Sequence, residues 1–176
     1  MTAHESGGQR PTVLVAGIGN VFLGDDGFGV EVVNRLATRA FRPGVTIKDF
    51  GIRGFDLAFN LVDGADLTIL VDATARGGAP GTLYTIEPEL PPAEDDNSPQ
   101  SLATHGMDPV KVLRMAQTLG GTLGRVILVG CEPATFGPEN EGHMGLSAPV
   151  EAAVNEAVRM IEELVESTEV PCSAKI

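Results

Sequence analysis

The chain has 176 residues, the size of one ordinary domain, and 43% of them are hydrophobic, which is enough apolar material for a core. Twelve Lys and Arg residues stand against 24 Asp and Glu residues, giving a formal net charge of −12. This acidity argues against nucleic acid or an anionic membrane as a partner, because both require a basic surface. It suits a metal cation, or a neutral or basic protein partner.

Cysteine content and terminal sequence indicate the compartment. Two cysteines, Cys131 and Cys172, are too few for a disulfide framework, which suits a reducing environment. The N-terminal ten residues are polar and lack the apolar stretch of a signal peptide, and no apolar run approaches the roughly 18 residues of a membrane helix. We therefore expect a cytoplasmic protein with no membrane segment. Without a long heptad pattern, a monomer is the default expectation.

Strands and helices are predicted to alternate along the chain. Apolar, β-branched runs predict strands, and apolar residues spaced three or four apart predict helices. The predicted elements, in chain order, are strand 12–17, helix 27–41, strand 45–50, helix 54–62, strand 66–72, strand 82–87, helix 107–119, strand 125–130 and a last helix capped by Ser147. The expected apolar residues are Val30, Val33, Ala37 and Phe41 in the first helix, Phe55, Leu57, Ala58 and Leu61 in the second, and Val150, Val154, Val158, Ile161 and Val165 in the last.

This order predicts an α/β protein, a three-layer sandwich with a five-stranded, mostly parallel, twisted sheet and helices on both faces. A parallel crossover requires a dozen or more residues, and the link before strand 82–87 has only about nine, so that strand should run antiparallel. We expect one domain over 1–176, with flexible ends at 1–10 and 168–176. The proline-rich, acidic segment 88–104 is predicted to be a surface loop.

Polar residues at the carboxyl ends of the parallel strands carry most weight as site candidates, because ligands of open α/β sheets bind there. The turn after the first strand is rich in glycine, which raises a dinucleotide-binding oxidoreductase as an alternative. However, Asp25 and Asp26 stand where a pyrophosphate would bind, and two carboxylates would repel it. An acidic turn at this position favours a cation.

Asp26, Asp72 and His105 together form a candidate metal-ligand set. Two carboxylates and one imidazole suit a divalent metal and leave coordination positions open for a substrate. Each residue also has a structural interpretation: the Asp25-Asp26 pair could cap the following helix, Asp72 could be a solvated strand end, and His105 could lie in a loop or cap. Spacing in the sequence does not establish that the three side chains meet.

The stretch GIGNVFLGDDGFGV at 17–30 strongly resembles the N-terminal signature of the hydrogenase maturation endopeptidases, which trim the C-terminus of the [NiFe]-hydrogenase large-subunit precursor. Further similar motifs follow in the family's order: DFGIRG at 49–54, LVDA at 70–73, PGT at 80–82, THG at 104–106 and GLS at 145–147. The resemblance therefore extends over nearly the whole chain, from about residue 12 to 166.

The resemblance implies a cytoplasmic, metal-dependent endopeptidase of the aspartic type, with Asp26, Asp72 and His105 as metal ligands and catalytic residues. It also implies that these residues recognise nickel already carried by the precursor, so that nickel belongs to the substrate, although other divalent metals are expected to occupy the site in vitro. The implied partners are the precursor and other maturation proteins. Some family members carry glutamate at the position of Asp26, which leaves open whether Asp25 or Asp26 is the ligand.

Two other functions remain open from the sequence. A non-enzymatic, nickel-binding maturation chaperone would use the same ligands. A cysteine peptidase would use Cys131 with His105 or His143, but a cysteine that ends an apolar strand is more typical of a buried, inert thiol. We expect His143 to be exposed and without a role. Arg53, in a glycine-rich turn, either helps to bind the precursor or is simply exposed.

Overall fold

The computed structural model describes residues 10–90, 107–138 and 140–168. Its elements, in chain order, are β1 (Val13–Ile18), a short 3-10 helix (Gly24–Gly27), α1 (Phe28–Leu36), β2 (Val45–Gly51), α2 (Gly54–Val62), β3 (Leu67–Ala73), β4 (Leu83–Ile86), α3 (Pro109–Thr118), β5 (Arg125–Cys131) and α4 (Ala148–Ser167). The described strands form one sheet in the order β2-β1-β3-β5-β4. Neighbours are parallel except for β4 and β5, which are antiparallel. The predicted α/β architecture is confirmed, including the antiparallel strand.

Several predictions concern residues outside these ranges. They include the ends 1–9 and 169–176, most of the loop predicted at 88–104, His105 and Cys172. The assignment of 1–176 to one domain stays a prediction. Within the described ranges, no helix has both the length and the apolar character needed to cross a membrane.

Side-chain alternation along the strands divides the core into two layers. Successive residues of a strand point to opposite faces of the sheet. Val13 and Val15 of β1 therefore pack in the layer formed by α1 and α4, whereas Leu14 and Ala16 pack in the layer formed by α2 and α3. The position of a residue along its strand thus decides which layer its side chain enters, and this applies to the functional residues as well.

α4 matches its predicted apolar face. Residues spaced three or four apart lie on one side of a helix, and all five predicted positions are buried: Val150, Val154, Val158, Ile161 and Val165. Burying each such side chain contributes roughly 1.5–3 kcal/mol relative to leaving it in water. Packing on this face anchors α4 over β1, β3 and β5.

α1 is shorter than predicted. It ends at Leu36 rather than near residue 41, and Ala37 is exposed instead of lying on the apolar side. The backbone N–H groups of Thr38 and Arg39 donate to carbonyls three residues earlier, so the last turn tightens and the chain leaves the helix. The apolar spacing continues beyond this point, but the helical hydrogen bonds do not.

α2 has the predicted bounds, but Phe55 is exposed. The buried side of α2 consists of Leu57, Ala58 and Leu61. Residues two positions apart in a helix differ by about 200° around its axis, so Phe55 lies almost opposite Leu57. Of the four apolar residues expected in this helix, Phe55 therefore does not share the buried side.

Replacing Ile161 by alanine should lower the free energy of unfolding by about 2–5 kcal/mol, because the substitution leaves a cavity in a fully buried site. Glu156→Ala on the exposed side of the same helix is the control, and it should stay within about 0.5 kcal/mol of the wild type. Urea denaturation followed by circular dichroism measures both. Equal effects of the two substitutions would contradict the described orientation of α4.

Candidate functional site

A cavity of about 1080 Å³ lies at the carboxyl ends of β1, β3 and β5. Leu70 and Leu128 form part of its floor and belong to the layer of α2 and α3. Three carboxyl groups, those of Asp26, Asp72 and Asp108, line it together with a mainly apolar wall. Among the lining residues in the described part of the chain, none is lysine or arginine. The cavity therefore combines an apolar surface with concentrated negative charge.

Asp72 lies near the end of β3 and is only 7% exposed. It lies two positions after Leu70, so alternation points its side chain to the same face of the sheet, towards the α2 and α3 layer where the cavity lies. Burial, followed by the negative charge of Asp26, raises the pKa of Asp72 well above its usual range; the backbone N–H of Ala73 opposes this shift, and the charge of Asp108 adds to it. A cation bound nearby would favour the ionised carboxylate and so oppose this shift.

Asp26 lies in the 3-10 helix after β1 and is half-buried. The backbone N–H of Asn20 donates to its Oδ2 at 2.7 Å. Burial raises the pKa of Asp26, and the hydrogen bond from Asn20 partly opposes the shift. The structure thus places Asp26 and Asp72, two of the three predicted site residues, in one cavity.

His105, the third predicted site residue, lies outside the described residues. Met107 and Asp108, which follow it closely in the chain, line the same cavity. Among the described residues, no group of three or more His, Cys, Asp or Glu side chains is arranged to hold a metal ion. The described residues therefore supply two carboxylates of the predicted set.

The glycine-rich turn after β1 is explained by close packing. Gly19 has a φ of +130°, and a Cβ atom there would lie 1.8 Å from the carbonyl oxygen of Asp26. A Cβ atom on Gly29 would lie 2.0 Å from the carbonyl oxygen of Val71. These glycines allow the turn and α1 to approach Asp26 and β3, so the motif needs no nucleotide to account for it.

Asp25 is fully buried and does not line the cavity. Its Oδ1 accepts a hydrogen bond from the backbone N–H of Ser147 at 2.6 Å, and its Oδ2 accepts bonds from the Ser147 hydroxyl at 2.9 Å and from the N–H groups of Ala134 at 2.7 Å and Thr135 at 3.0 Å. Burial tends to raise the pKa of Asp25, but the hydrogen bonds from Ser147, Thr135 and Ala134 outweigh it and lower the pKa. Asp25 is therefore a structural anion, and Asp26 is the acid of the pair that faces the cavity.

Ser147 differs from its predicted role as a helix cap. It occupies the N-cap position of α4 but makes no side-chain capping bond. Its hydroxyl instead donates to the Asp25 carboxylate, a stronger, charge-assisted interaction. The Asp25-Asp26 pair likewise makes no side-chain capping bond to the 3-10 helix or to α1.

Cys131 ends β5 but faces away from the cavity. Leu128 and Gly130 point to the cavity face of the sheet, and Cys131, an odd number of positions from each, points to the opposite face. Its side chain therefore enters the α1 and α4 layer, where it is fully buried. Burial, together with the charges of Asp25 and Glu132, raises the pKa of the Cys131 thiol to about 11. A thiol of this kind is neutral near pH 7 and is a poor nucleophile. The geometry does not favour the cysteine-peptidase alternative.

His143 is exposed, as expected. Arg53 is also exposed, and its guanidinium donates to the backbone carbonyls of Asp49 and Phe50. Neither residue lines the cavity. Arg53 therefore stabilises its own turn, and a contact with the precursor stays a prediction.

Sequence reasoning missed Asp108, which both lines the cavity and caps α3. Its Oδ1 accepts a hydrogen bond from the backbone N–H of Val110 at 2.9 Å, and Pro109 follows at the first helical position. An aspartate and a proline before an apolar helix are a helix-start signal that could have identified this cap. Nothing in that signal indicates that the same carboxyl faces a cavity.

Sequence reasoning also failed to identify the structural role of Glu132. Its carboxylate accepts hydrogen bonds from the backbone N–H groups of Arg76 at 2.8 Å and Gly77 at 3.2 Å and from the Tyr84 hydroxyl at 2.8 Å. The bond from Arg76 is the main cause of the lowered pKa of Glu132. Glu132 thereby holds the segment in which Thr74 and Ala75 form part of the cavity wall.

Asp25→Asn should lower the free energy of unfolding by about 2–4 kcal/mol, because an amide nitrogen would face backbone donors that now point at a carboxylate oxygen. Asp26→Asn is the matched comparison, since it retains an acceptor for Asn20 and removes a charge beside Asp72. Its stability should equal that of the wild type or rise slightly. Thermal and urea unfolding at neutral pH measure both; the reverse order would show that the roles of the two acids have been exchanged.

Cys131 should resist alkylation by iodoacetamide at pH 8 in the native protein, because its thiol is buried and has a pKa of about 11. The same residue should react readily once the protein is unfolded in guanidinium. Peptide mapping by mass spectrometry locates the adducts and separates Cys131 from Cys172. Rapid native labelling of Cys131 would contradict its placement in the core.

Comparisons with known proteins bear out the resemblance. A family model described as hydrogenase maturation protease matches residues 30–164. The chain is 37% identical over 153 residues to the hydrogenase expression/formation protein HupD of Rhodobacter capsulatus, covering 84% of this chain and 70% of that protein. It is 30% identical over 150 residues to the hydrogenase 2 maturation protease of Escherichia coli K12, covering 85% and 87% of the two chains.

Solved structures agree with this assignment. The hydrogenase maturating endopeptidase HybD from E. coli superposes with a TM-score of 0.71 at 29% identity, covering 89% of this chain and 93% of that one. The hydrogenase 2 maturation peptidase from a Thaumarchaeota archaeon gives a TM-score of 0.66 at 34% identity, covering 88% and 98%. Family model, sequence relatives and fold therefore converge, and the chain belongs to the hydrogenase maturation protease family.

Proposed function

We propose that this protein is the endopeptidase that removes the C-terminal extension of a nickel-loaded [NiFe]-hydrogenase large-subunit precursor. The observation that carries the proposal is the pair Asp26 and Asp72 in one cavity of a chain from the maturation protease family. The cavity is large enough for a peptide segment, and its described lining contains no lysine or arginine that would neutralise the two acids. An incoming cation supplies that neutralisation.

In this proposal, Asp26, Asp72 and His105 bind the nickel that the precursor carries. Carboxylate oxygens and an imidazole nitrogen form a donor set that divalent transition metals accept. Nickel is then part of the substrate, and an ion such as cadmium or zinc can take its place in vitro. A bound metal can polarise the scissile carbonyl or lower the pKa of a water molecule, which would explain cleavage without a nucleophilic side chain.

Nickel recognition would make cleavage a checkpoint in hydrogenase assembly. A precursor without nickel offers the two acids no cation, and its binding leaves their mutual repulsion in place. The chain would act in the cytoplasm, alongside other maturation proteins, and as a monomer. The non-enzymatic nickel chaperone is the second candidate, since it would use the same ligands; family membership favours the protease.

The decisive experiment mixes the purified protein with nickel-loaded and with nickel-free precursor and measures the mass of the large subunit. The nickel-loaded form should lose its C-terminal peptide, and the nickel-free form should stay almost entirely intact. Nickel binding without any loss of mass would favour the chaperone, and equal cleavage of both forms would remove the checkpoint.

Asp72→Asn tests the ligand assignment. It should weaken binding of nickel chloride, followed by calorimetry, by at least about 100-fold, because a charged ligand is lost. Cleavage should fall in parallel, and Asp26→Asn and His105→Ala should behave similarly. Asp63→Asn makes the same chemical change at an exposed position that does not line the cavity, so it should leave nickel affinity unchanged.

A further inference from the structure

Three large apolar side chains are exposed on the loops that border one side of the cavity. Phe22 is 58% exposed, Phe136 46% and Met144 68%. Single exposed apolar residues are ordinary on a protein surface, whereas a group of them at one place marks an interaction site. We call these three residues the apolar rim.

Backbone hydrogen bonds hold the segments of the apolar rim together. The N–H of His143, next to Met144, donates to the carbonyl of Phe22 at 2.7 Å, and the N–H of Gly24 donates to the carbonyl of His143 at 2.7 Å. The N–H of Asp25 donates to the carbonyl of Thr135, next to Phe136, at 3.0 Å. The segment of Phe22 and the much later segments of Phe136 and Met144 therefore present their exposed side chains from one hydrogen-bonded unit.

The apolar rim is continuous with the cavity. Phe136 lines the cavity itself, and so does Leu23, the neighbour of Phe22. Gly137 and Pro138, which follow Phe136, extend the same wall. The apolar rim therefore lies at the edge of the cavity, where the body of a protein whose terminal segment occupies the cavity could contact it.

Charge decides between a second copy of this chain and a different protein as the occupant. Each copy carries a formal charge of −12, and three aspartates line the cavity next to the rim, so two copies would repel each other. A partner with an apolar surface flanked by neutral or basic residues meets no such repulsion. This favours a heterologous partner over a dimer.

We propose that the apolar rim binds an apolar surface on the folded body of the large-subunit precursor, beside the point where its C-terminal segment enters the cavity. This rests on the proposed function and extends it, since the contact is separate from the recognition of nickel by Asp26 and Asp72. The rim would bind substrate and transition state equally, so it would determine KM and leave the chemical step unaffected.

The test uses the double variant Phe22→Gln, Met144→Gln, whose two side chains are exposed and do not line the cavity. With nickel-loaded precursor as substrate, KM should rise at least about tenfold, while kcat stays within about twofold of the wild type. Leu119→Gln is the matched control: Leu119 is 46% exposed and follows the C-terminal end of α3, whereas the N-terminal end of α3 faces the cavity. This variant should leave KM and kcat unchanged.

Other outcomes have distinct meanings. A KM of the double variant within about twofold of the wild type overturns the docking proposal and leaves the protease function intact. A fall in kcat at constant KM also overturns it, because the rim would then act on the chemical step.

Gel filtration adds a third arm: a dimeric wild type that becomes monomeric in the double variant, with KM unchanged, identifies a second copy as the occupant. If the wild type leaves nickel-loaded precursor uncut, the proposed function fails, and the docking proposal fails with it.

Discussion

The buried carboxylate of Asp25 is the interaction on which the site depends. Four hydrogen bonds reach it from Ser147 and from the Ala134-Thr135 segment, more than one hundred residues further along the chain. They join the acidic turn after β1, the loop after β5 and the start of α4. Because a buried anion is costly without donors, the fold must supply all of them, and this demand fixes the three segments relative to one another.

The acids that line the cavity, in contrast to Asp25, have few hydrogen-bond donors to compensate their charge. Among the described residues, Asp26 accepts a hydrogen bond only from Asn20. Burial and the charges of Asp26 and Asp108 raise the pKa of Asp72 against the opposing hydrogen bond from Ala73. Two adjacent acids thus have different surroundings: Asp25 is satisfied internally and stabilises the fold, whereas Asp26 faces the cavity. A site that is destabilised in the free protein is typical of functional positions, and it is tolerated because the surrounding packing is extensive.

The fold could be predicted from the sequence wherever one local rule dominates. The apolar spacing of α4 permitted only one buried face, and the short link before β4 permitted only an antiparallel strand. The end of α1 could not be predicted, because it depends on tightened hydrogen bonds and not on apolar spacing. The partners of Asp25 were equally inaccessible, since they come from distant segments. Cys131 is different: the alternation that places Asp72 and Leu128 beside the cavity places Cys131 on the other face, and this could have been read from the strand itself.

The contact between Asp25 and Ser147 also has a consequence for biosynthesis. Asp26 and Asp72 are translated within the first 72 residues, but the donors that organise the acidic turn follow only at positions 134 to 147. β5, which pairs with β3, is likewise translated late. A nascent chain on the ribosome therefore lacks the ordered turn until the start of α4 has emerged, and non-local contacts of this kind form late in folding. The candidate site is therefore ordered only after translation reaches the start of α4, although Asp26 is among the first residues to be made.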